Sequence, residues 1–435
     1  MEVESQLLYW GRPILAFFWP GWGGSVRGSL PRPSQRKAGT GQPRGDLRQS
    51  LPNAAVAVTL LLLITTACDQ RKPLAPGYHE YAYITNGRSS SVSVLDLTQL
   101  ETNPSRLYAK TIAVGGGPTC VAANAKRNEI YVANADSNNI SIIDAERNQV
   151  VATIGVHRAP YYVSVSPDGK RAYVANSGSA NVSVIDLDKR AVMATIRVGG
   201  APGLAKVSPD GKIAVASNRA DNTVSIIDTE KLAVRSTVAV CQQPQDLAIV
   251  PDNSKVFVAC PGSNQVAAVD LKTDRLLTYM DVGQLPVYLT LKPDGGELFV
   301  SNFNSNNFSI VETTTNEVGG SYLIGNQPSH GVVTEDNSLL YMSNFGSDTV
   351  SVYAIDEGHV IGAVQVGRHP DALALTPDEA HLLVLDSASG DVAVIRTVKT
   401  RQNSKISADR ALVTLVPVGS QPNDIVIKAF KTSGR

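Results

Sequence analysis

The chain has 435 residues and is neutral as a whole, with 39 basic and 39 acidic side chains. The first 68 residues are basic, whereas residues 69–435 carry 32 basic and 36 acidic side chains, an excess of four negative charges. That balance disfavours sequence-independent binding to phosphate backbones, so nucleic acid is not an expected partner.

All three tryptophans (Trp10, Trp19, Trp22) lie in the opening stretch, and residues 24–53 are rich in Gly, Pro, Arg and Ser, a composition unsuited to a buried core. The apolar run AAVAVTLLLLITTAC at 54–68 is short for a membrane span. With Arg44 and Arg48 ahead of it and small residues at its end, it has the layout of a secretory signal. Its ending, Ile64-Thr65-Thr66-Ala67-Cys68, resembles a bacterial lipoprotein signal, with threonine where leucine is commoner three residues before the cysteine. The resemblance implies lipidation at Cys68 and a protein on the periplasmic side of a bacterial membrane. The alternatives are an ordinary signal peptide, giving a secreted protein, or a buried apolar strand. On this reading 1–43 is disordered or an over-extended start, 44–68 the signal, 69–78 a linker, 79–430 the folded domain and 431–435 a tail.

From there a 42-residue beat takes over. PDGKRAYVAN begins at Pro167, and equivalents begin at Ala125, Pro209, Pro251, Pro293, Glu335 and Pro377, each 42 residues from the next. A fixed period in this range marks stacked identical units. In the unit at 160–200, PYYVSVS alternates as a strand, Pro167-Asp168-Gly169 supplies a tight turn, and RAYVAN, VSVID and AVMATIRVG read as three further strands. Four short strands with turns between them predict a four-stranded antiparallel blade. The prolines that open the first strands, and the residues that end the second strands, each count eight. The chain enters on a second strand (81–86) and leaves on a first strand (425–430), so the last strand can complete the first blade and hide its edge. The expectation is an all-β, eight-bladed β-propeller closed by its C-terminal strand, with seven blades as the alternative.

The strings YVAN, VSVID and ATIxVG-x-x-P followed by PDG resemble the YVTN-type β-propeller repeat of bacterial and archaeal envelope proteins, over about residues 79–430. The repeat is also similar to the eight-bladed haem domain of bacterial nitrite reductases, without a haem-ligand motif. Both likenesses carry the fold and leave the activity open. No cofactor is expected.

Cys241 precedes the first strand of its blade and Cys260 ends the second. A hairpin turning at 251–254 puts Cys260 opposite Gln245, four residues after Cys241, which brings the sulfurs together. An oxidising compartment favours the disulfide, with Cys120 a free thiol; two unpaired thiols are the alternative. No Cys or His spacing suggests a metal.

Loops before each proline and after each YVAN strand share one face, where propeller ligands usually bind. The position two after each proline gives Cys120, Tyr162, Leu204, Asp246, Tyr288, His330, Ala372 and Asp424, expected to face the central channel. His157, Arg158, Arg219, Arg368, His369 and Asp371 join from loops, and Phe303 and Phe345 share one slot in neighbouring blades. Each also has a plainer reading, as a solvated side chain at a wet mouth or a lid on blade packing. The recurrent serine of VSVID argues for structure rather than nucleophilic catalysis. Six extra residues at about 100–106 and ten at about 399–410 interrupt the beat in the first and last blades, both on the PDG face, as loops free to take a partner or as plain excursions. The expected function is a monomeric binding or scaffolding module of the cell envelope, for an unknown envelope protein or small ligand, touching the membrane only through its anchor. The rivals are an enzyme of the lactonase or quinoprotein-dehydrogenase type, for which the carboxylates are few, and a DNA-binding propeller.

Overall fold

The structure, a computed structural model, describes residue 75, residues 77–397 and residues 411–432. Lipidation at Cys68, the signal segment, the 1–43 extension and the basic insertion at 399–410 lie outside the described residues.

Eight four-stranded antiparallel sheets are arranged as the blades of a propeller. Blade 3 shows the pattern, with strands Pro160–Val165, Arg171–Asn176, Asn181–Asp186 and Ala191–Arg197 running from the innermost strand to the outermost. Blade 2 begins at Pro118 and blades 4 to 8 follow in chain order, ending with Leu412–Pro417. Blade 1 is built from both ends of the domain: Pro422–Lys431 is its innermost strand and pairs antiparallel with Tyr78–Asn86, followed by Ser91–Asp96 and Tyr108–Ala113. The closure expected from the strand count is present, and the count is eight.

Local chemistry sets each hairpin. In blade 3 the Asp168 carboxylate accepts from Ser166 Oγ and the Lys170 amide, while Gly169 takes a φ of 71°. Asp186 then caps the next turn by accepting from the amides of Asp188 and Lys189. The outer strands alternate half-buried and exposed residues, as in Ala233–Ala239, because only one of their faces packs. Every third-to-fourth strand pair carries a register shift, such as that between Val184 and Ile185, which adds twist toward the rim.

Among the described residues, each pair of adjacent blades encloses one apolar cluster, eight in all around the ring. Tyr173, Val184 and Ile196 of blade 3 meet Ala214, Ala216 and Ile227 of blade 4. Blades 8 and 1 meet through Leu383, Leu385 and Val416 against Ala82, Ile84 and Leu95. The 100–106 insertion corrects one expectation. Leu97, Leu100 and Leu107 are buried in this last cluster, and Glu101 lies 3.3 Å from His381 Nε2 and 3.8 Å from Arg396 of blade 8. The insertion seals the seam where the ring closes instead of standing free.

Candidate functional site

The channel-facing set needs a correction. Cys120, Leu204 and Ala372 are buried in inter-blade clusters, and Tyr162 packs against three of them. The neighbouring position is no different: Val121 packs toward blade 1 while Cys120 packs toward blade 3. The physical reason is the radial setting of a blade. Both faces of its innermost strand meet adjoining blades, so its free edge, not a face, lines the channel.

Polar side chains of the innermost strands are largely used to tie one blade to the next. Asn423 Nδ2 donates to Pro118 O at 2.8 Å, Thr119 Oγ1 to Tyr161 O at 2.9 Å and Ser164 Oγ to Ala205 O at 2.6 Å. Asp246, 2% exposed, accepts from its own blade at the Leu247 amide, from blade 6 at the Leu289 amide and from Lys206 Nζ of blade 4 at 3.0 Å. Lys206, which the sequence reading passed over, also donates to Leu247 O at 2.6 Å. Asp424 does the same work between blades 1 and 2, accepting from the amides of Val121 and Ile425. Asp246 and Asp424, both expected among the ligand-binding residues, thus also act as clamps between blades.

His157 and Arg158 sit on the blade 3 loop, apart from the other candidates. His157 Nε2 is 3.2 Å from Thr195 Oγ1 on its own blade's outer strand, and Arg158 donates to Gly178 O. Arg219 lies over the Tyr161 ring at 4.7 Å.

The remaining candidates converge on blades 6, 7 and 8. His330 Nδ1 lies 2.7 Å from Asp371 Oδ1, an ion-pair distance, and neither atom makes a hydrogen bond of good geometry. The Asp371 side chain is 2% exposed, and its backbone oxygen accepts from Ser343 Oγ. The Tyr288 ring centroid is 4.2 Å from that of His330. Beside them, His369 stacks on Phe345 at 4.3 Å and Phe345 meets Phe303 at 5.8 Å. Phe303 and Phe345 are 4% and 2% exposed and pack with Val287, Leu285 and Tyr288. They form the floor of the cluster rather than its contact surface, as the lid reading had it. His369 holds a φ of 54°, its amide donating to Asp348 Oδ1, so the loop backbone that carries the imidazole is held at this residue.

This arrangement gives one imidazole a defined chemistry. A buried carboxylate 2.7 Å from Nδ1 favours a proton on that nitrogen and leaves Nε2 as the acceptor. His330 Nε2 has no hydrogen-bond partner among the described residues. No group of three or more His, Cys, Asp or Glu side chains suited to a metal occurs among the described residues.

Cys241 and Cys260 form a disulfide with Cα atoms 5.6 Å apart, and Cys120 is free and buried. The hairpin register behind it is as read, with the Val250 amide donating to Lys255 O.

Two family descriptions match parts of the chain. "Cytochrome D1 heme domain" matches residues 124–246, and "Lactonase, 7-bladed beta-propeller" matches residues 325–413, each less than half of the sequence. No curated protein matches. Among solved structures, hydrazine synthase of Kuenenia stuttgartiensis is 21% identical with a TM-score of 0.54, over 65% of this chain and 96% of that one. A functionally unknown protein from Desulfotomaculum acetoxidans is 18% identical with a TM-score of 0.54, over 69% and 98%. The dihydro-heme d1 dehydrogenase NirN, solved in complex with DHE, is 13% identical with a TM-score of 0.64, over 80% and 74%. At these identities the likeness is one of fold.

Proposed function

We propose that this propeller is a binding module of the bacterial cell envelope, anchored at Cys68, that takes a small planar ligand over blades 6 to 8. One observation carries the reading: the His330 imidazole sits 2.7 Å from buried Asp371 and beside the Tyr288 ring, with no hydrogen-bond partner at Nε2 among the described residues. Elsewhere on the inner strands, side chains such as Asp246, Lys206 and Asn423 are taken up by neighbouring blades. A ligand with a hydrogen-bond donor would meet Nε2, and its flat face would lie along Tyr288 and His369. The test is a thermal-shift screen of aromatic and heterocyclic compounds on wild type, His330→Ala and Asp371→Asn. Compounds that stabilise wild type and lose their effect in both variants support the site; an unchanged effect in both refutes it. For the anchor, Cys68→Ser should move the protein from membrane to soluble fractions.

A second reading is favoured by the same imidazole, which lies outside the residues 124–246 that match the haem-domain family. An imidazole with a carboxylate on Nδ1 and a free Nε2 is the donor type that ligates iron. His330 would hold the metal with Asp371 beside its ring, and the cofactor would supply redox chemistry. Haem titration followed by absorbance separates the two readings: a Soret shift that His330→Ala abolishes selects the haem, and its absence selects the planar organic ligand.

A further inference from the structure

Six blades end their second strand on an asparagine that donates Nδ2 to an oxygen five residues on and to a serine seven residues on. In blade 3, Asn176 donates to Asn181 Oδ1 at 2.8 Å and to Ser183 Oγ at 2.9 Å, and blades 1, 2, 4, 6 and 7 repeat the pattern. Blade 5 replaces it with the disulfide. Blade 8 has Asp386, with Asp391 five residues on and Ala393 seven on. An acid stands where a donor is needed, and a second acid stands where an acceptor is needed.

The Asp386 side chain is fully buried, and both its oxygens and Asp391 Oδ1 have no heavy-atom donor to meet. Two ionised carboxylates cannot share such a place, whereas one proton between them restores the missing donor. Burial first, and then the hydrogen bond with Asp391, pushes the Asp386 carboxyl up to about 9.

We propose that Asp386 is protonated in the folded protein, donates to Asp391, and so latches the 367–369 loop that carries His369 into the candidate site. The loop is fastened to the Asp386 turn at several points. The Arg368 amide donates to Ser389 Oγ, the Ser387 amide and hydroxyl donate to His369 O, and the Ala388 amide donates to Arg368 O. A Cβ on Gly367 would lie 2.6 Å from Asp386 Oδ2, so the loop passes directly over the carboxyl. Losing the proton sets two negative charges against each other directly beneath this loop. The elements packed around Asp386 also carry Asp348, Arg368, His369, Asp371, His381 and Arg396, but Asp391 is the charge that acts on it.

The pH dependence follows from the direction of the shift. The folded chain keeps a proton that the unfolded chain releases above about pH 4. Stability from this pair is therefore fully present below about pH 4 and falls as pH rises, until the folded group itself ionises. The variant Asp386→Asn installs the amide that six blades already use. In the full chain, the melting temperature of Asp386→Asn relative to wild type should rise with pH from about 5 and level off near 9. Infrared spectra at neutral pH should show a protonated carboxylic acid in wild type that Asp386→Asn removes, and Asp391→Asn should flatten the melting profile as well. Parallel melting profiles, or no protonated-acid band, would overturn the shared proton. The loop coupling rests on the ligand site above: affinity should weaken near pH 9 in wild type and not in Asp386→Asn. Equal pH dependence in both would overturn the latch, while failure of any ligand to bind counts against the site and leaves the spectra and melting curves to decide the proton.

Discussion

At the residue scale, one close contact recurs around the ring, between the strand-ending asparagine and a glycine nineteen residues earlier. A Cβ added at Gly199 would lie 2.7 Å from Cβ and Cγ of Asn218, and one at Gly325 would collide with Cγ of Asn344. These atoms are held by two hydrogen bonds and cannot retreat. Gly199→Ala is expected to cost about 2 kcal/mol, read as a lower urea midpoint at unchanged slope, because overpacking a fixed contact forces backbone shifts. In blade 5 the same two positions are Cys241 and Cys260, so the disulfide stands in place of the glycine–asparagine contact. Reducing it should cost on the order of 3 kcal/mol in the chain-entropy model, seen as a lower melting temperature with reductant. The double variant Cys241→Gly with Cys260→Asn should lose less than Cys241→Ser with Cys260→Ser, since it rebuilds the contact used elsewhere. Equal losses would show that the glycine–asparagine pair has no value of its own. No comparable account explains His157, which stands at the glycine's place in blade 3.

At the scale of the element, the innermost strands matter most, because their side chains bind across blades. Removing the Asp246 carboxylate strands the Leu289 and Leu247 amides and the Lys206 ammonium together. Asp246→Ala should cost about 3–5 kcal/mol in chemical denaturation, the range for breaking a buried pair from one side. A loss under about 1 kcal/mol would mean that water replaces the carboxylate freely. The hairpin turns respond to acid instead. Hydrogen bonds from Ser166, Ser254 and Ser338 hold Asp168, Asp252 and Asp336 below the usual carboxylate range. Their depressed values contribute stability that is present above about pH 4 and lost as pH falls through the folded values. Melting temperatures should therefore drop on acidification below about pH 4, and Asp168→Asn should blunt that drop.

At the scale of the molecule, the seam between blades 8 and 1 is where the ring holds or fails. It combines the pairing of Pro422–Lys431 with Tyr78–Asn86, the 100–106 insertion and the Glu101 contacts to His381 and Arg396. Stability in a repeat array depends on neighbour interfaces, and truncation before Pro422 removes a whole strand from two of them. The truncated protein should melt well below the full chain or aggregate through the exposed edge of Tyr78–Asn86. Melting like the full chain would mean that the first blade stands on three strands.

The sequence alone determined the period, the four strands of each blade, the count of eight and the closing strand. These are local properties, carried by turn residues, alternation and the offset between the first and last repeat. The register of one hairpin was enough to bring Cys241 to Cys260. The candidate site was legible only in part. The sequence put Tyr288, His330, Asp371, His369, Phe303 and Phe345 on one face, because strand ends and loops fix the face. Their gathering over three adjacent blades, with His330 on Asp371, was decided by tertiary structure. So was the use of Asp246 and Asp424 as inter-blade clamps, because those partners lie about one whole repeat or more away along the chain. Linear order cannot reveal which side of an innermost strand meets a neighbour when both sides do. The acid pair in blade 8 lay in plain view as a break in the asparagine pattern, but its meaning came only with burial, which turns a surface carboxylate into a held proton.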